Sequence, residues 1–171
     1  MQLGDLERSS TGRVFLNTKF VPYVANLIPN GEDVLFVGID TVWDYKPFFW
    51  NPSKQCRYFT MDIAGGMKPD IVANIEKCPE VTNNAFGLVI MIGMYEYLKN
   101  DEEAFTEIAR IIKPQGHLLI AFPGDGYRAD QKHVELKDIQ GILKLFNVLE
   151  LHGFYDKGGK ASSYCVLAQK I

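Results

Sequence analysis

The run Val34-Leu35-Phe36-Val37-Gly38-Ile39-Asp40 decides how this chain is read. An unbroken apolar stretch describes a strand buried on both faces, and a glycine at its end lets the backbone turn tightly beside a ligand. A second strand-like run, Tyr58-Phe59-Thr60-Met61-Asp62, comes one crossover later and ends in an acid. In an open α/β sheet that pairing holds a nucleoside. The glycine admits the ligand, and a carboxylate at the end of the next strand accepts both ribose hydroxyl protons.

The flanking segments fit such a sheet. Upstream, Phe20, Val24 and Leu27 lie at helical spacing within 19–28, and Pro29-Asn30-Gly31 stops that helix. Between the two strands, Pro47 and Pro52 permit only a short helix, opened by Pro47 and ended near Asn51. After the Gly65-Gly66 turn, a brief third strand fits 70–73, and the continuous apolar run Phe86 to Ile92 reads as a central fourth strand. Asn100 caps the next helix with Glu103 three residues on, and Ala104, Phe105, Ile108, Ala109, Ile111 and Ile112 supply its apolar stripe. Pro114 and Gly116 end it ahead of a strand at 117–122. A weaker helix over 134–145 and strands at 147–152 and 163–169 complete the pattern. The βαβαβ order with a strand pair after it predicts an α/β fold, with a mostly parallel sheet flanked by helices, right-handed crossovers and an antiparallel C-terminal strand.

Composition narrows the function classes. The 171 residues suit one domain over 1–171, with a core at 32–171 and an N-terminal helical segment at 1–31. A formal charge of −3 and a pI near 5.6 argue against a broad nucleic-acid surface, which needs clustered Lys and Arg. Cys56, Cys78 and Cys165 are odd in number and lack CxxC spacing, so they read as reduced structural thiols of a cytoplasmic protein. The N-terminus lacks the pattern of a signal peptide, and no run reaches the roughly 18 apolar residues of a membrane span.

At this level the chain resembles the class I S-adenosylmethionine-dependent methyltransferases of the small, methyltransferase type 11-like kind. The resemblance spans about 32–123. It is strongest at Ala85-Phe86-Gly87-Leu88-Val89-Ile90, at Tyr95-Glu96-Tyr97-Leu98, and at Phe105-Thr106-Glu107-Ile108-Ala109-Arg110-Ile111-Ile112-Lys113-Pro114-Gln115-Gly116-His117-Leu118. It implies a Rossmann-like methyltransferase fold and S-adenosylmethionine as cofactor. Gly38 would approach the methionine portion, Asp62 would bind the ribose hydroxyls, Ile63 would lie against the adenine face, and Asn74-Ile75 would stand near the adenine amino group. For Asp62 a turn-capping role before Gly65-Gly66 is the competing reading.

The departures from the family are as informative. Its first loop usually reads Gly-x-Gly-x-Gly, whereas this chain has Gly38-Ile39-Asp40-Thr41-Val42. An acid often stands two residues before the first glycine, and here that residue is Phe36. Asp40 can supply the missing carboxylate or simply form the turn. Phe86-Gly87 replaces a frequent Phe-Asp.

Methyl transfer from a sulfonium needs alignment and a dry pocket more than a catalytic motif. For a hydroxyl nucleophile a general base helps, and the candidates at the strand ends are Glu96, Tyr97 and His133, with Asp125 and Tyr127 behind them. Each competes with an ordinary surface or packing role. Tyr97 stands where relatives often carry His. Met91 in Met91-Ile92-Gly93-Met94 is placed near the sulfonium, although a Met stripe also suits plain core. Trp43, Tyr45 and Trp50 can wall the site's mouth, whereas Phe48 and Phe49 fit a layer covering the sheet. The three histidines show no metal-ligand spacing, and no metal is expected. The expected substrate is a small metabolite or glycan precursor, with no nucleic-acid or membrane partner and a homodimer compatible with the small size. The alternative is a noncatalytic or cofactor-binding module that acts through protein partners.

Overall fold

A computed structural model describes residues 9–39, 45–127 and 130–171, with side chains from residue 12 onward. Its centre is a seven-stranded sheet made of β1 (Asp33–Val37), β2 (Arg57–Asp62), β3 (Ile71–Val72), β4 (Phe86–Ile92), β5 (Ile112–Pro123), β6 (Phe146–Tyr155) and β7 (Ala161–Lys170). The order across the sheet is β3-β2-β1-β4-β5-β7-β6. Neighbours from β3 to β5 pair in parallel, while β7 runs antiparallel to both β5 and β6. The chain therefore reverses its winding between β1 and β4, where open α/β sheets form a ligand crevice at the strands' carboxyl ends.

Strand alternation sends side chains into two layers. Leu35, Val37, Val89, Met91, Leu118 and Ile120 face the helix α4 (Asp101–Ile111) and its Ala104, Phe105, Ile108 and Ile111. Val34, Phe36, Leu88, Ile90 and Leu119 face Leu16, Phe20, Val24 and Ile28 of the N-terminal helical segment. That segment comprises α1 (Ser9–Phe15), a π-helical turn Leu16–Phe20 and α2 (Val21–Leu27). Helix α3 (Lys46–Phe49) carries Pro47 in its first turn and passes into a small hairpin, Trp50–Asn51 with Lys54–Gln55. Phe49 is fully buried and stacks on Tyr58, and Phe48 is half-buried beside it, so both cover the sheet.

Several boundaries differ from the sequence reading, each for a local reason. The N-terminal helix begins by Ser9 instead of Lys19, and its wide π turn shifts the helical phase, leaving Leu27 44% exposed while Phe20 and Val24 are buried. The helix expected over 134–145 shrinks to a 3₁₀ turn, Leu136–Asp138, and the short α5 (Ile139–Ile142). Val134 is held extended there by donating its N–H to Pro123 O at 2.9 Å, and Gly141 weakens the helix that contains it. Strand β5 starts at Ile112, since Ile112 already pairs with Phe86 before an irregularity at Gln115, whose φ is 62°. Asn100 caps α4 as expected, its side chain accepting from Glu103 N at 3.2 Å.

Gly87, where the family often has Asp, also finds its reason. A Cβ at this position would come within 2.5 Å of the Glu32 carboxylate, which pairs with Lys113 at 2.6 Å. Glu32 thus stands where a side chain at 87 would be. Among the described residues no helix is long and apolar enough to cross a membrane.

Candidate functional site

The corner between β1 and β2 is held by backbone and carboxylate together. Gly38 turns at φ +82° and donates its N–H to Met61 O at 2.9 Å. Asp62 Oδ2 accepts from Ile39 N at 3.1 Å and its Oδ1 from Ala64 N at 2.8 Å. Each oxygen spends one lone pair on the loop and keeps another for a ligand hydroxyl. Ile63, beside it, is 69% exposed, an apolar residue left uncovered at a strand end. The turn-capping and ribose-binding readings of Asp62 are compatible in this geometry.

Met94 closes the other side of the corner. Its Cγ and Sδ occupy the space into which a Cβ on Gly38 would project. Gly38→Ala therefore meets both a left-handed backbone and an occupied space, and is expected to cost about 2 kcal/mol of stability in urea unfolding. Phe36 is buried and packs edge-on against Tyr45, with ring centroids 5.6 Å apart. An aromatic contact replaces the acid that the family often has there. Asp40 and Trp43 lie outside the described residues.

Asn74 comes directly after Ala73, whose N–H is bound to Asp62 O at 3.0 Å. Its amide oxygen accepts from Glu76 N at 3.0 Å and its amide nitrogen reaches Glu76 Oε2 at 3.3 Å. Glu76 Oε1 in turn accepts from Lys99 N at 2.5 Å and Asn100 N at 2.6 Å. Burial pushes the Glu76 carboxyl up, but the Asn100 and Lys99 N–H groups and the Asn74 amide outweigh it and hold the group below its ordinary value. Glu76, which nothing in the sequence pattern singled out, fastens the loop after β3 to the start of α4. Ile75, 4% exposed, and Met91, fully buried, belong to the core behind the corner.

Beside this corner, a cavity of about 580 Å3 lies over the carboxyl ends of β4 and β5. Ile92, Gly93 and Glu96 form one wall, Ala121 to Pro123 the floor, Gly126 and Tyr127 the far side, and residues 12–14, 16 and 17 the roof, with Ser162 and Ser163 closing it. The π turn places Asn17 in this roof, where its Oδ1 accepts from Tyr45 OH at 2.9 Å. Of the three acid/base candidates only Glu96 lines the cavity, and its Oε2 is buried with no hydrogen-bond partner. Tyr97 is 65% exposed, and His133 is exposed with Nδ1 3.3 Å from Gln131 O, both outside the lining. Asp125 accepts from Ala161 N at 3.1 Å, and Trp50 is exposed with the Lys46 ammonium 6.0 Å from its ring. Lys132 pairs with Asp101 and lies 4.4 Å from the Tyr95 ring centroid, pinning the segment after β5 to the β4 side. Among the described residues, no three His, Cys, Asp or Glu side chains gather as a metal would require.

Comparison with known proteins agrees with this geometry. Residues 50–120 match the family model described as a methyltransferase domain. The fold resembles a SAM-dependent methyltransferase from Methanosarcina mazei, with TM-score 0.68, 14% identity, and 88% of this chain and 97% of that one covered. It also resembles the N-methyltransferase NodS from Bradyrhizobium japonicum, solved with S-adenosyl-L-homocysteine, with TM-score 0.67, 12% identity and coverage of 91% and 86%. A third similar structure comes from the Haloferax volcanii complex of the Trm112 methyltransferase activator with a methyltransferase, with TM-score 0.66, 14% identity and 95% of both chains covered. A search of curated proteins gave no match. The stretch that matches a methyltransferase domain thus runs from the hairpin before β2 into β5, and the strand order of the whole sheet is shared with solved SAM-dependent methyltransferases.

Proposed function

We propose that this chain methylates a small-molecule acceptor, a small metabolite or glycan precursor, seated in the cavity roofed by the N-terminal helical segment. The observation that carries this reading is a shared wall. At the carboxyl end of β4, Ile92 and Gly93 line the cavity while the next residue, Met94, lies on Gly38 at the cofactor corner. Displacement at a methyl carbon requires nucleophile and donor to meet in line, and adjoining sites on one strand end provide that proximity.

The residues at the corner suit the nucleoside half of S-adenosylmethionine. Asp62 keeps acceptor capacity for the ribose hydroxyls, and Ile63 offers an uncovered apolar face to adenine. When bound, the cofactor supplies a sulfonium-activated methyl group. The protein's part is to orient the acceptor, exclude water through the apolar floor at Phe122 and Pro123, and accept a hydrogen bond at Glu96 Oε2. Titration with S-adenosylmethionine and S-adenosylhomocysteine by calorimetry tests the reading, with turnover on an acceptor panel as the second step. Binding of neither cofactor form would overturn it.

One observation favours the alternative, a methyltransferase-like module that acts through partners. Phe36 packs on Tyr45 where the family often places an acid toward the cofactor's amino group. A module of this kind that has lost the cofactor would leave both titrations flat while the fold stayed intact, and one that retains it would bind without turnover on any acceptor.

A further inference from the structure

We infer that the acceptor atom is an amine nitrogen and that Glu96 is the residue selecting it. This deepens the proposed function and rests on it for the chemical step. A buried carboxylate oxygen without a donor is costly, and a ligand that brings an N–H or O–H to it recovers that cost. Glu96 Oε2 is such an oxygen, in the wall of the cavity. Ser162 Oγ spends its proton on Phe154 O at 3.1 Å, and Ser163 contributes a second hydroxyl to a lining that also includes Arg13.

Brønsted behaviour separates amine from hydroxyl. An alcohol must lose its proton as the new bond forms, and a carboxylate is a weak base for that task. Among the described residues the cavity lining holds no histidine or lysine that would serve better. An amine needs no base in the transfer itself, because its neutral form already carries a free lone pair. It enters as an ammonium paired with Glu96 and loses one proton to water. Its lone pair then forms the N–C bond as the donor's S–C bond breaks, with that electron pair returning to sulfur as a thioether. The positive charge, carried by the donor's sulfur while the amine is neutral, ends on nitrogen as a methylammonium that faces the carboxylate as the entering ammonium did.

The test uses paired primary amines and alcohols on the same alkyl and aryl skeletons, sized to the cavity and titrated calorimetrically into the wild-type protein, Glu96→Gln and Glu96→Asp. The wild type is expected to bind the best amine at least about tenfold more tightly than its matched alcohol. Glu96→Gln should bring the two within about threefold, with Glu96→Asp intermediate and the melting temperatures of both variants near wild type. Equal binding of amines and alcohols by the wild type, an amine preference unchanged in Glu96→Gln, or failure of every amine to bind would each overturn the inference. S-adenosylhomocysteine titrated in parallel keeps the two proposals apart. An amine preference without cofactor binding would retain the selectivity of Glu96 and sink the methyltransferase reading alone.

Discussion

Asp62→Ala is expected to weaken S-adenosylhomocysteine binding by about 100-fold or more, measured by calorimetry at constant ionic strength. Two effects combine. The charged acceptor proposed for the ribose hydroxyls disappears, and hydrogen bonds to charged groups contribute about 1.5–3 kcal/mol each. The loop that carries Ile39 also loses its anchor, since Ile39 N and Ala64 N both donate to this carboxylate. A loss of about 3 kcal/mol corresponds to a factor above 100. Asp62→Asn keeps the shape and one accepting oxygen, so it should lose about tenfold, between the wild type and alanine. An alanine variant that binds as tightly as wild type would remove Asp62 from the ribose site and leave it as the turn-former of the competing reading. The unliganded variant should melt only a few degrees lower, because the corner retains the Gly38 N–H bond to Met61 O.

The corner is readable in the sequence because its parts are local. A continuous apolar run fixes β1 at Asp33–Val37 and β4 at Phe86–Ile92, and residues that end a strand lie at a known edge of the sheet. The cap at Asn100 is a three-residue pattern and is equally legible. The cavity is not. Its roof comes from residues 12–17 and its closing edge from Ser162 and Ser163, nearly the whole chain apart, and no periodicity connects them. Glu96 can be nominated from its strand-end position, but its separation from Tyr97 and His133 depends on which side chain the 3₁₀ turn Tyr95–Tyr97 directs inward. The sequence pattern favours Met91, which is buried in the core, over Met94, which reaches the corner. Alternation stops applying at the strand's end, so the pattern cannot resolve which methionine lies against Gly38.

The segment Glu107-Ile108-Ala109-Arg110 shows the converse, a motif that is prominent in sequence and structural in role. Arg110 binds Cys78 O at 2.9 Å, Val81 O at 2.7 Å and Asn83 Oδ1 at 2.8 Å, while its guanidinium pairs with Glu107 through Nε at 2.9 Å and an η nitrogen at 2.8 Å. Glu107 also accepts from Cys78 N at 3.0 Å. Together they clamp the last turn of α4 to the loop leading into β4, and so set the strand whose end forms the shared wall. Arg110→Ala removes the guanidinium from these carbonyls and from the carboxylate, and is expected to cost about 3 kcal/mol in urea unfolding. Arg110→Lys should recover less than half, because an ammonium cannot reproduce the fork.

The same clamp gives stability a pH dependence with a definite sign. The Arg110 guanidinium is the main cause holding the Glu107 carboxyl at about 2, against an ordinary value of 4.5. A lowered folded-state pKa means that the unfolded chain takes up the proton first as pH falls. The contribution is thus fully present above about pH 4.5 and is lost progressively toward pH 2. The two side chains are 20% and 26% exposed, so solvent screening reduces it to on the order of 2 kcal/mol. Glu107→Gln is expected to flatten this part of the stability profile between pH 5 and pH 2 while lowering stability at neutral pH, read from urea midpoints across that range. A Glu107→Gln profile parallel to wild type would assign the acid sensitivity to other carboxylates and reduce the clamp to its neutral hydrogen bonds.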